Sequence, residues 1–158
     1  MQHTLEPLLR TQKFFAGLDP DHLSLIAGCA STVVFPTDGF LFREGDPANT
    51  FFLIRKGKVA LEIAAAGRGA GALVIQTLGE GEVAGFSWLI EPHHWEFDGR
   101  AIERVLAVKM DGTCLRGKCE DDPRLGYELM RRFAGLTATR LQATRLQLLD
   151  VYGHAHDR

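Results

Sequence analysis

Gly39-Phe40-Leu41-Phe42-Arg43-Glu44-Gly45-Asp46-Pro47-Ala48, with Phe51-Phe52-Leu53-Ile54-Arg55-Lys56-Gly57-Lys58-Val59 two residues later, is the stretch on which the fold turns. Short runs of aromatic and β-branched residues end each time on Gly, Asp or Pro, which is how strands joined by tight turns are written. The texture continues both ways. Upstream, Val33-Val34-Phe35 meets Pro36-Thr37-Asp38-Gly39. Downstream, Val59–Ile63 passes through a small-residue link, Ala64–Gly71, to Leu73–Leu78 and Gly79-Glu80-Gly81-Glu82, and Ile102–Met110 closes the series at Asp111-Gly112. Many short strands at near-regular spacing predict an antiparallel, jelly-roll-like β-roll over 31–112, and not a βαβ sheet. Gly39, Gly45, Gly57 and Gly81 fall where corners need positive φ or no Cβ, so they report on the roll whatever it binds.

Helices flank the roll. In 5–30, Leu5, Leu8 and Leu9 are helically spaced, Phe14-Phe15-Ala16-Gly17-Leu18 follows, and Asp19-Pro20 opens a helix through Leu23, Ile26 and Ala27 that stops at Gly28. In 113–153, Asp111–Glu120 suits a short helix and Asp122-Pro123 starts a long one, free of proline to about Tyr152. Met130, Ala134, Thr137, Leu141, Thr144, Leu148 and Val151 alternate steps of four and three, a heptad-like stripe, with Leu129, Phe133 and Leu136 beside it. One face would cover the roll and the other would meet a second copy. A single broad face packed on its own domain is the alternative.

The 158 residues suit one domain with flanking helices. Apolar residues make up 46% and charged residues 24%, both ordinary for a globular chain. The longest apolar runs, such as Val59–Ala66, stop well short of the roughly 20 residues of a membrane span, and the start lacks a signal-peptide pattern. A cytoplasmic location is expected. A net charge of −2 offers no global field for nucleic acid. Cys29, Cys114 and Cys119 form an odd set without a CxxC pair, read as reduced thiols.

The resemblance is to the cyclic-nucleotide-binding domain family. Phe14–Leu18 with Leu23 resembles its opening helical segment, Gly39–Ala48 its second strand and turn, Phe51–Val59 its signature strand, and Leu78–Gly85 the entry to its phosphate-binding cassette. The correspondence spans roughly 8–150. It implies an antiparallel β-roll with a long C-terminal helix and a cyclic nucleotide as ligand. In the family, a Glu taking the ribose hydroxyl follows the glycine equivalent to Gly85, then a short helix, and an Arg two residues before a small Ala grips the phosphate. Here Phe86 stands in the place of the Glu, Trp95 in that of the Arg and Phe97 in that of the Ala. Arg100 lies five positions on, an odd offset that turns a strand side chain to the other face unless the strand bulges. A short helix after Gly85 would still offer its N–H groups. The candidate pocket is therefore Gly85, Phe86, Ser87, Trp88, Trp95, Phe97 and Arg100, either plugged by its aromatics or lined by them for a flat or apolar ligand.

Other constellations are weaker. His93 and His94 are adjacent and would face opposite ways on a strand, so a cupin-like metal-dependent enzyme is a remote alternative, and no metal or catalytic residue is assigned. Gly67-Arg68-Gly69-Ala70-Gly71 lacks the Gly-Lys-Ser/Thr of a phosphate loop and reads as a hairpin link. Ser87 lacks a nucleophile elbow. The cysteines have only Arg116 and Lys118 beside them. Arg131, Arg132, Arg140 and Arg145 read as a solvated face or as inter-helix pairs, with Glu128 and Asp150 at hand. Regulators of the catabolite-activator type add a helix-turn-helix domain; this chain stops at Arg158 without one, so direct DNA binding is not expected. The reading is a non-enzymatic, cofactor-free sensor or regulatory module. It would form a homodimer through Met130, Ala134, Thr137, Leu141, Thr144 and Leu148, signal to a protein partner, and not bind cAMP or cGMP in the usual way. The alternative is a ligand-free dimeric scaffold.

Overall fold

The computed structural model describes residues 5–64 and 72–156. Helix α1 (Glu6–Arg10), a 3-10 turn (Lys13–Phe15) and α2 (Pro20–Ala27) precede eight strands: β1 (Ala30–Phe35), β2 (Phe40–Phe42), β3 (Thr50–Lys56), β4 (Val59–Ala64), β5 (Ala72–Leu78), β6 (Val83–Ala84), β7 (Asp98–Ala101) and β8 (Val105–Asp111). Helices α3 (Gly112–Asp121) and α4 (Pro123–His156) complete the chain. The strands form two antiparallel four-stranded sheets, ordered β1-β8-β3-β6 and β2-β7-β4-β5. This is the expected roll with flanking helices. The run read as one strand over Ile102–Met110 is β8 alone. The short β6 and β7 were not read from the sequence.

Strand alternation divides the core in two. On β3, Phe51 and Leu53 face outward to pack with Leu23 and Ile26 of α2 and with Leu125, Leu129 and Phe133 of α4. Phe52 and Ile54 face inward, with Phe42, Leu61, Leu78 and Val105. Asp19 caps α2 by accepting from the Asp21 N–H, and Asp111 caps α3 by accepting from that of Cys114, so both helices start where their Asp predicts. Gly57 has φ +97°, and a Cβ there would lie 2.3 Å from the Arg104 carbonyl oxygen, so only glycine makes that corner.

The expectation of reduced thiols fails in part: Cys29 and Cys114 form a disulfide, and Cys119 is free. The cause is the β1–β8 pairing. It sets Ala30 opposite Met110 and lets the Asp111 N–H donate to the Cys29 carbonyl, which brings the start of α3 against the end of α2. The bond joins residues 85 positions apart, worth about 4.6 kcal/mol on the chain-entropy account. No described helix is long and apolar enough to cross a membrane. The glycine-rich link 67–71 lies outside the described residues.

Candidate functional site

The site begins where β6 hands the chain to Gly85. That residue has φ +99°, and a Cβ on it would meet the Trp95 ring at 2.5 Å. The indole is thus pressed against the glycine. It also stacks on Phe42, with centroids 3.9 Å apart and planes 13° apart. Its backbone is fixed as firmly: the Trp95 N–H donates to Asp46 O, and its carbonyl accepts from the Gly45 N–H. Trp95 is 4% exposed and belongs to the inner core.

Trp88 belongs to the other core. It stacks on Phe51 at 5.0 Å, meets Phe133 edge-on at 5.6 Å, and is fully buried beneath α4. Ser87 is buried as well. The chain after Gly85 is not a helix. Leu89 and Ile90 donate to the carbonyls of Phe86 and Ser87 in a turn, so the helical N-terminus expected there does not form.

Arg100 faces away from Gly85. On β7, Gly99 and Ala101 are buried inward, and Arg100 between them points to the outer face. There its Nε and Nη2 donate to Glu62 Oε1 and Oε2 at 3.0 and 2.9 Å, and its Nη1 donates to Asp38 Oδ1 at 2.7 Å. The Glu62 side chain is 5% exposed, so this bidentate pair neutralises a buried carboxylate. Of the seven residues singled out in the sequence, Gly85 and Trp95 come together. Trp88 sits in a different core, and Arg100 is committed elsewhere.

Phe86 and Phe97 share a different space. A cavity of about 230 Å³ lies between the β4–β5 sheet and α4, and both rings help to line it, with Leu61, Ile75, Gln76 and Arg140. Sequence reasoning missed Arg140. It carries no local signal that separates it from the other arginines of the helix, and only tertiary packing buries it. A second, apolar groove of about 420 Å³ runs between Phe86, Leu89 and Ile90 on one side and Met130, Phe133 and Ala134 on the other.

The remaining candidates are accounted for by ordinary bonds. His94 Nδ1 lies 2.8 Å from the Pro92 carbonyl oxygen, and His93 holds a positive φ of 57°. Among the described residues no group of three or more His, Cys, Asp or Glu side chains could hold a metal ion. Arg116 donates to the Trp88 carbonyl and Asn49, and Lys118 to the Leu25 carbonyl. Burial, and then the Asp122 charge, push the Cys119 thiol above its ordinary value, the reverse of an activated nucleophile.

Residues 32–122 match the family described as the cyclic nucleotide-binding domain. A solved Geobacter metallireducens GS-15 protein of the cyclic nucleotide-binding kind superposes with a TM-score of 0.77 at 30% identity, covering 86% of this chain and 97% of that one. The CRP-like cAMP-activated global transcriptional regulator of Mycobacterium tuberculosis is 26% identical over 147 residues, 93% of this chain. This chain spans 63% of that regulator's length. Human cGMP-dependent protein kinase 2 is 30% identical over 107 residues, 68% of this chain and 13% of the kinase. Matched over more than half its length, on a roll built and flanked in this way, the chain belongs to the cyclic nucleotide-binding domain family.

Proposed function

We propose that the chain is a non-catalytic regulatory module that pairs with a second copy through α4 and does not take a cyclic nucleotide in its family's usual manner. The observation that carries the second half is Trp95. It stands where the family resemblance places the phosphate-gripping arginine, its ring lies against Gly85, and Phe42 holds it there. With Phe86 in the place of the ribose-binding Glu and Arg100 spent on Glu62, the cassette has neither the carboxylate that takes the ribose hydroxyl nor the cation that a cyclic phosphate needs. Calorimetric titration with cyclic AMP and cyclic GMP tests this. The expected result is no saturable heat; micromolar binding of either nucleotide contradicts it.

The pairing rests on α4. The stretch 141–153 is exposed at every residue, and its large apolar side chains include Leu141, Leu146, Leu148, Leu149, Val151 and Tyr152. A free helix of that length is marginal in water, and solvated leucines do not stabilise it. Exposed Ile75 of β5, an edge strand, extends the same apolar surface, since Ile75 and Leu141 line one cavity. A second α4 would cover both. A ligand-free dimeric scaffold is the second reading, favoured by the burial of Trp88 and Trp95 as core; it predicts that no small ligand raises the melting temperature. A cytoplasmic setting goes with either reading, and there the Cys29–Cys114 bond would face a reducing thiol pool.

A further inference from the structure

Among the described residues three side chains bury a nitrogen with no hydrogen-bond partner, His22 at Nδ1, Trp88 at Nε1 and Arg140, and of these Arg140 is the permanent cation. Its Nη2 donates to the Val83 carbonyl. Its Nε and Nη1 are buried and have no hydrogen-bond partner. Two of the three nitrogens of a delocalised cation are therefore both desolvated and unsatisfied, an unfavourable condition that folded proteins resolve by pairing. Glu82 lies close enough to act through space, and it raises the Arg140 pKa against the larger lowering by burial. Glu82 does not neutralise the cation, however. Its carboxylate accepts from the Gly79 N–H, and among the described residues no ion pair joins it to Arg140.

The other walls of the cavity are mainly apolar. Leu61, Ile75, Phe86 and Phe97 supply most of the surface, and the hydroxyls of Thr137 and Thr144 are already spent on the carbonyls of Phe133 and Arg140. At about 230 Å³ the space is smaller than the roughly 300–1,000 Å³ of pockets for drug-sized ligands, and it suits a single ring. An unpaired guanidinium set in an aromatic and aliphatic chamber is complementary to a small molecule that is anionic at one end and flat and apolar at the other.

We infer that this cavity binds a small aromatic carboxylic acid, whose carboxylate pairs with Arg140 and whose ring rests between the strand wall and Phe86 and Phe97. Gln76, with no hydrogen bond on its amide among the described residues, offers a second polar contact. The cavity shares Phe86 and Phe97 with the cassette, and Trp95 does not line it. It gives the regulatory reading above a ligand, because an acid bridging Arg140 to β4 and β5 ties α4 to the roll.

The test is calorimetric titration of the full chain with benzoate and phenylacetate, with benzyl alcohol and inorganic phosphate as probes of each half of the ligand. The expected result is that one of the acids binds, that benzyl alcohol and phosphate bind at least tenfold more weakly, and that Arg140→Gln weakens the acid at least tenfold, the loss of one charge-assisted pair. Arg140→Lys should retain part of the affinity, and circular dichroism of both variants checks that they are folded. No binding of either acid at millimolar concentration overturns the assignment, as does binding that Arg140→Gln leaves unchanged. Phosphate binding as tight as that of the acids also overturns it. Sedimentation of the same samples separates this claim from the dimer: Arg140-dependent binding by a monomer would sink the pairing and keep the site.

Discussion

The two halves of α4 carry the same kind of apolar periodicity and meet opposite fates. In the first half, Leu125, Leu129 and Phe133 are buried against Phe51, Trp88 and the N-terminal helices. In the second, Leu141, Leu148 and Val151 are 49%, 56% and 64% exposed. A stripe in the sequence says that a helix has an apolar face. Whether that face is core or seam depends on whether the rest of the chain can reach it. Here the roll reaches Leu141 and Thr144 near the middle of a helix roughly 50 Å long, at 1.5 Å per residue, and 145–153 is exposed at every residue.

Substitutions on α4 sharpen this difference. Phe133→Ala should have the largest effect, destabilising the fold by about 4 kcal/mol in urea unfolding, because it empties a site packed edge-on by Phe14, Phe51 and Trp88. Arg132→Ala should cost roughly 2 kcal/mol. Its guanidinium is 11% exposed and clamps the N-terminal segment to the helix by donating to the carbonyls of Phe14 and Ala16. Asp122→Ala should cost less than Arg132→Ala, since Asp122 accepts from the N–H groups of Arg124 and Leu125 at the head of α4. The smallest effect on folding should come from Leu141→Asp with Leu148→Asp in the far half. Its cost at low protein concentration should stay within about 0.5 kcal/mol, as at other surface positions. A folding loss as large as that of Phe133→Ala would break the comparison, since it would mean that the far half packs on its own domain.

Asp122 adds a pH arm. Burial pushes its carboxyl up, yet the bonds from Leu125, His22 and Arg124 outweigh that and hold it below its ordinary value. A folded pKa below the unfolded one of about 3.9 contributes stability above that value, and the contribution is lost as pH falls through the folded pKa. The stability gap between the chain and Asp122→Asn should therefore narrow between pH 5 and the most acid pH at which both stay folded, on the order of pH 3. A gap independent of pH would remove the charge from the account.

How much of this the sequence disclosed follows from how local each signal is. The corner glycines and the Asp caps of α2 and α3 act within a few residues, so the roll and its flanks were readable. Strand β7 was not. Asp98-Gly99-Arg100-Ala101 has little strand propensity, and it extends because β2 and β4 hold it on both sides. The Cys29–Cys114 bond and the burial of Arg140 were invisible for the same reason. Each depends on partners dozens of residues away, and an arginine at helical spacing looks alike whether solvated or covered. Trp95 falls between these cases: its offset from Asp111 points to the cassette, while its stack on Phe42 and its approach to Gly85 are visible only in the structure.

The most direct test of the account is sedimentation equilibrium of the full chain beside Leu141→Asp with Leu148→Asp. The account predicts twice the chain's mass for the first at micromolar concentration, and the mass of one chain, with an unchanged circular dichroism signal, for the second. A wild-type chain that sediments as a monomer at micromolar concentration, or a variant that remains a dimer, would contradict it.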